Sequence, residues 1–340
     1  VLFRSSTAFS GLANKTTILI ACMFTVAYAF GKTSLINKVR NSMERIKGKS
    51  GLGFIVFLFL VTIVLSQLMG RTAIVSIVAL FLVSLDDKDE ICASRMIFAA
   101  FAVMAAWSLK FPVGLGATMS PTANAYYEGI ISNPALMLLP GDFIKVSFIP
   151  ATALTIYALF AWKSIPRHAV NTSDVKEVKE TAAISRRDEI IINIVFIGVL
   201  LGFIFGAKIG SLMYVIPAAG VLVLLYTKTL TAKETVDSLT GDMVWMIAGV
   251  LVMSDAIGRS GVGDMIGNGL LVLLGDKPSG IFVLFVFAVT AIVMTTFMSN
   301  TGTAAVLTPI AASLSMVAGM DPRGIVLIIN IASIMRSEER

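Results

Sequence analysis

The sequence predicts an all-α polytopic membrane protein, built as an inverted repeat with two re-entrant helical hairpins and interrupted helices. Three observations carry this expectation. Of the 340 residues, 56% are hydrophobic and only 14% charged, whereas a soluble domain clothes its surface with about 25% charged residues. Several apolar runs approach the ~20 residues a bilayer core demands, and they are continuous rather than alternating, which argues for helices over barrel strands. Two of these runs are broken near their middles at matching places, Gly70-Arg71-Thr72 and Ser299-Asn300-Thr301.

The elements follow in order. A first span covers 15–33, followed by a basic, weakly amphipathic stretch with Lys38, Arg40, Arg45, Lys47 and Lys49. The block 51–85 is interrupted at Gly70-Arg71-Thr72. Each half is about 15 residues, short for a crossing, so the block reads as a hairpin that enters and returns. After Asp86-Asp87-Lys88-Asp89-Glu90 come a span at 92–109, a glycine- and proline-bearing stretch from Phe111 to Asn124, and a span at 142–162. The mixed-charge segment 163–188 lacks any apolar period and reads as the linker between a first repeat unit, 10–162, and a second, 189–335. The second holds spans at 189–207, 210–226 and 242–258, the hairpin block 280–318, and a short last run at 324–335. Residues 1–5 and 336–340 differ in character from their neighbours and are expected to be non-native flanks.

The formal charge of +6 comes from basic residues in the loops between apolar runs, which membrane topology explains better than nucleic acid. Cys22 and Cys92 are the only cysteines, so neither a disulfide framework nor a cysteine-rich metal site is expected. The single histidine, His168, falls in a polar loop and makes a poor ligand candidate.

The chain repeats itself. Ala29-Phe30-Gly31-Lys32-Thr33 matches Ala256-Ile257-Gly258-Arg259-Ser260, and Leu68-Met69-Gly70-Arg71-Thr72 matches Phe297-Met298-Ser299-Asn300-Thr301, at offsets of 227 and 229 residues. Five crossings separate the starts of the two units, and a hairpin adds none. An odd number means the second unit enters from the opposite face, so the repeat is inverted. Secondary transporters are commonly built this way, with binding near the midplane. Lysine and arginine crowd into 32–50, 163–188 and 227–241, which places these stretches on the cytoplasmic face.

A helix broken inside a membrane frees backbone groups that cost several kcal/mol each unless something satisfies them. The start of a half-helix offers N–H groups and partial positive charge to an anion, and the end of the preceding half offers carbonyls to a cation. Thr295 and Ser299-Asn300-Thr301-Gly302-Thr303 add small donors and acceptors at such a place. A third interrupted element is Pro112-Val113-Gly114-Leu115-Gly116-Ala117-Thr118, where glycine permits and proline enforces irregular backbone.

These residues resemble the divalent anion:sodium symporter family, within the citrate-transporter-like ion transporter superfamily. Ser299-Asn300-Thr301, in the context Ser-Asn-Thr-Gly-Thr-Ala-Ala-Val-Leu-Thr-Pro-Ile, is similar to that family's hairpin-tip signature, and the order of elements matches in both halves. The resemblance covers nearly the whole chain and implies a truncated member, with further spans before residue 10 and after residue 335. It also implies sodium-coupled uptake of di- or tricarboxylates or sulfate across the cell (inner) membrane, by an elevator-like movement in a homodimer. Gly70, Arg71, Thr72, Thr118, Ser299, Asn300 and Thr301 would bind substrate. Ser66, Gly114, Gly116, Thr295 and Asn300 would bind the cation, with sodium the only metal expected and no cofactor.

Arg71 departs from the family pattern, which has asparagine at that place. It puts a fixed positive charge where a sodium ion would be ligated, either as a tethered cation that holds a substrate carboxylate or as a side chain snorkelling to water from a decayed site. Glu128 and Asp255 are the other acids near membrane segments, and Asp255 reads as interfacial and solvated. A cation/proton antiporter or an arsenite-type permease shares the architecture but would carry buried acids in its breaks. An intramembrane enzyme would need paired acids, a histidine cluster or a nucleophile–base pair on the spans, and none is evident.

Overall fold

A computed structural model describes residues 9–34, 51–68, 74–75, 78–79, 81–82, 90–131, 133–167, 184–204, 212–275 and 278–334. Among them every regular element is helical. In chain order these are α1 (Lys15–Gly31), α2 (Leu52–Leu68), α3 (Ala93–Trp107), α4 (Met119–Ala125), α5 (Asp142–Ala161), α6 (Arg186–Ile204) and α7 (Leu212–Tyr226). They continue with α8 (Ala232–Leu239), α9 (Asp242–Ser260), α10 (Val262–Leu274), α11 (Gly280–Phe297), α12 (Asn300–Ala318) and α13 (Pro322–Ile334). Asp142–Ser164, Ala232–Ile257, Gly280–Phe297 and Asn300–Ala318 are long and apolar enough to cross a membrane, and the chain is an integral membrane protein.

One difference from the expected layout has a local cause. The 227–241 loop contains α8, started by a reciprocal cap in which Thr231 Oγ1 accepts from the Glu234 N–H at 3.2 Å and Glu234 Oε2 accepts from the Thr231 N–H at 3.0 Å. The arms flanking Ser299 are 18 and 19 residues long, about 27 Å each and close to the thickness of a bilayer core.

The chain divides into two compact units, one of 1–23, 118–143 and 236–340, the other of 24–117 and 144–235. In the first, Val283, Phe287 and Ala291 of α11 bury against Leu307, Ala311 and Leu314 of α12 and Ile325, Ile329 and Ala332 of α13. Ala312 of α12 joins Ala123 and Tyr127 in a neighbouring cluster with Val326 and Leu327. Lipid chains are as apolar as leucine, so such helices associate through close packing rather than escape from water. Small residues make that possible on α10, where a Cβ on Gly267 would lie 2.7 Å from the Ser313 carbonyl oxygen and one on Gly263 3.1 Å from Ser313 Oγ. The outer face of α11 carries Ile281, Phe285 and Phe297, all exposed and suited to lipid.

In the second unit α2, α3 and α5 share a core built from Phe54, Leu58, Leu65, Met96, Ala100, Val103, Trp107, Ala151 and Ala158. Ile74, Val78, Phe81 and Leu82, spaced as one face of a helix, are buried in the same core. The Phe54 and Phe81 rings stack with centroids 6.0 Å apart. Phe54 lies in the first turn of α2 and Phe81 far beyond its end, so residues distant in sequence share this core. Helices α6 and α7 pair through Gly220, whose Cβ would meet Val195 Cγ1 at 2.9 Å.

Candidate functional site

The break between α11 and α12 consists of two residues. Met298 and Ser299 are both extended, with φ of −119° and −68°, and they separate the last turn of α11 from the first of α12. Ser299 Oγ accepts the Gly302 N–H at 3.0 Å and its carbonyl accepts the Thr303 N–H at 2.9 Å. That leaves the amides of Ser299, Asn300 and Thr301 as donors that a helix start cannot pair within itself. They sit at the positive end of a 19-residue helix.

Thr295, one turn before the break, is buried. Its hydroxyl oxygen lies 2.8 Å from Asn300 Oδ1 and 3.0 Å from the Ser333 carbonyl oxygen. A hydroxyl has one hydrogen and donates one strong bond at a time. The three oxygens therefore form a small cluster with more acceptor capacity than donors, drawn from α11, α12 and α13. Asn330, one turn before Ser333, is also buried and donates through Nδ2 to the Val326 carbonyl at 2.8 Å.

Of the residues expected to bind, Thr295, Ser299, Asn300 and Thr301 thus lie together at the α11–α12 break. Gly70, Arg71 and Thr72 fall outside the described residues, as does His168. Ser66 is buried at the end of α2, where Oγ donates to the Ile63 carbonyl at 2.7 Å and its own carbonyl accepts from the Leu109 N–H at 3.3 Å. Gly114, at φ +58°, comes so close to α2 that a Cβ would lie 2.5 Å from the Gln67 carbonyl oxygen. Gly116 has no room for a side chain either, because its Cβ would meet the Phe111 carbonyl oxygen at 2.0 Å. Gly114 therefore packs on the end of α2 at Gln67, the residue that follows Ser66. Thr118 is buried at the start of α4.

The two acids are placed by partners. Glu128 accepts from Asn14 Nδ2 at 3.1 Å and lies 3.5 Å from Thr16 Oγ1, tying the start of α1 to the turn after α4. Asp255 accepts from Arg259 Nε at 2.8 Å on the same helix, and its side chain keeps 33% exposure. Neither lies at the break.

Sequence reasoning missed Gln67, Asn330 and Ser333. Asn330 and Ser333 stand three residues apart inside an otherwise apolar run, which is a signal for one polar helix face. Ser333 contributes a backbone carbonyl, and no side-chain pattern announces that.

A polytopic helical membrane protein with a capped, hydroxyl-lined helix break belongs to the transporter class. The family comparison agrees and is more specific. A model of the citrate transporter family matches residues 2–330, and the chain belongs to that family. An uncharacterized transporter of Haemophilus influenzae is 23% identical over 353 aligned positions, which cover 98% of this chain and 73% of the relative.

Proposed function

We propose that the chain is a secondary active transporter that moves a small di- or tricarboxylate, or sulfate, by alternating access coupled to a cation. The observation that carries this reading is the α11–α12 break. Its unpaired helix-start amides suit a carboxylate or sulfate, and the oxygens of Thr295, Asn300 and Ser333 suit a hard cation such as sodium. The break holds hydroxyls and an amide and no acid, which favours an anionic substrate over the antiporter reading. Membership of the citrate transporter family supports a tricarboxylate in particular.

In this reading Ser66, Gly70, Arg71, Thr72, Gly114, Gly116 and Thr118 form one cation and substrate half-site, and Thr295, Ser299, Asn300 and Thr301 form the other. The two halves are inverted repeats, the linker 163–188 faces the cytoplasm, and the protein works as a homodimer in the cell membrane. The resemblance of the Ser299-Asn300-Thr301 tip to that of the divalent anion:sodium symporters supports sodium as the coupling ion.

Uptake of labelled citrate, succinate and sulfate into proteoliposomes, with and without an inward sodium gradient, tests the proposal. Uptake of at least one anion, stimulated by the gradient, is expected. No uptake above protein-free liposomes under any gradient would refute it.

A further inference from the structure

Gln67 is buried near the end of α2, and its side-chain amide reaches a separate part of the chain. Nε2 donates to the Trp107 carbonyl at 2.8 Å and lies 2.8 Å from Ser66 Oγ and 3.1 Å from the Ile63 carbonyl oxygen. Oε1 accepts from the Phe111 backbone N–H at 3.1 Å. The Trp107 carbonyl is among the last of α3, and such groups have no partner inside their own helix. The Phe111 N–H belongs to the irregular turn that follows. One buried amide thus satisfies both sides of the place where the third apolar run breaks.

The turn needs such a hold. Leu109 has φ +58°, a conformation that leucine adopts only where its surroundings enforce it. Gly114 shares that φ value and is pressed against the Gln67 carbonyl. On its far side the turn is anchored by Trp107, whose Nε1 donates to Thr155 Oγ1 at 2.8 Å and whose ring stacks on Phe111 with centroids 5.7 Å apart. From α2, the side chain that holds it is Gln67.

The geometry points to Gln67 as a positioning residue: its amide keeps the Leu109–Gly116 turn in register with the end of α2, and so sets the shape of the half-site that Ser66 and Gly114 share. This inference rests on the transport reading above. Gln67→Met would fill nearly the same volume while leaving the Phe111 N–H unpaired in a dry environment and the Trp107 carbonyl with only the longer bond from the Lys110 N–H at 3.3 Å, so the turn would have to shift. Gln67→Glu would keep the acceptor for Phe111 and lose both amide N–H groups.

Two measurements on the full chain test the role. In nanodiscs, hydrogen–deuterium exchange of peptides covering 108–116 should quicken about tenfold in Gln67→Met and by less in Gln67→Glu, with peptides across Ser299 unchanged. In proteoliposomes, KM for the transported anion should rise about tenfold in Gln67→Met while the maximal rate stays within about threefold, a split that simple loss of folded protein does not produce. Unchanged exchange over 108–116 in both variants overturns the positioning role whatever the uptake data show. Faster exchange with an unchanged KM overturns its link to the half-site. If the unaltered chain takes up no anion at all, the transport reading fails and exchange alone decides for Gln67.

Discussion

Thr295 and Ser333 meet through a hydroxyl–carbonyl contact of 3.0 Å, so the last turn of α11 is held against the last turn of α13. The same hydroxyl touches Asn300, the first residue of α12, at 2.8 Å. Three helices converge on one oxygen atom at the break. Thr295→Val keeps the shape of the side chain and removes that oxygen, leaving the Ser333 carbonyl without its partner. The expected cost is about 1–3 kcal/mol locally, read as at least a tenfold rise in KM for the anion or the coupling ion. Thr295→Ser restores the hydroxyl and should restore KM. Equal KM values for the valine and serine variants would show that the oxygen does not matter to the site.

Helix α10 seats on α12 through glycine, and the two glycines are not equivalent. A methyl group on Gly267 would meet a backbone carbonyl, Ser313 O, at 2.7 Å, and Val317 Cγ2 at 2.8 Å. On Gly263 it would meet the Ser313 hydroxyl at 3.1 Å, and a side chain can yield where backbone cannot. Gly267→Ala should therefore destabilise by about 1–3 kcal/mol and Gly263→Ala by clearly less. Thermal melting of the two variants in the same detergent checks the order, and a reversed order would contradict the packing described.

Asp321 starts α13 with a proline behind it. Its Oδ1 accepts the Arg323 N–H at 2.9 Å, and its carboxylate pairs with the Arg323 guanidinium at 2.6 Å. The guanidinium contact, ahead of the capping bond, holds the Asp321 carboxyl below its usual range. A carboxyl that is more acidic folded than unfolded adds stability above the unfolded value, near 3.9. That stability disappears as pH falls through the folded value. Asp321→Asn retains a capping oxygen and loses the charge. The stability gap between Asp321→Asn and the unaltered protein should hold steady from neutral pH to about pH 5 and close in more acidic solution. Melting temperatures of both proteins across that range provide the measurement. A gap that widens on acidification would mean that the pair does not act this way.

The helices are legible in the sequence because their signal is local. Continuous apolar runs place α1, α3, α5, α9, α11 and α12 to within a few residues, and the polar tip Ser299-Asn300-Thr301 marks the break by its composition alone. Helix α8 is legible in principle, since Thr231-Ala232-Lys233-Glu234 is the spacing of a reciprocal cap, but its charges make the segment read as loop. The contacts that finish the site have no such signal. Thr295 reaches a carbonyl 38 residues away and Gln67 one that is 40 residues away. A backbone acceptor carries no residue identity, so only the fold could supply these partners.

In the proposed transport reading, Arg71 offers the sharpest test of how the two half-sites divide their work. Its matching position in the second half is Asn300, whose amide joins the oxygen cluster at the break. An arginine at the corresponding tip brings five donors and a permanent charge and no acceptor for a cation. If Arg71 serves as a tethered cation, the first half needs no sodium, and transport should depend on sodium with a Hill coefficient near one. Arg71→Asn would then weaken anion binding by about tenfold or more, the scale of a charge-assisted bidentate bond, and would steepen the sodium dependence as a second ion entered. Uptake measured across a sodium series in both proteins reads the two effects separately. Unchanged anion affinity together with an unchanged sodium curve would reduce Arg71 to a side chain that snorkels to water, and the second half would then carry the chemistry alone.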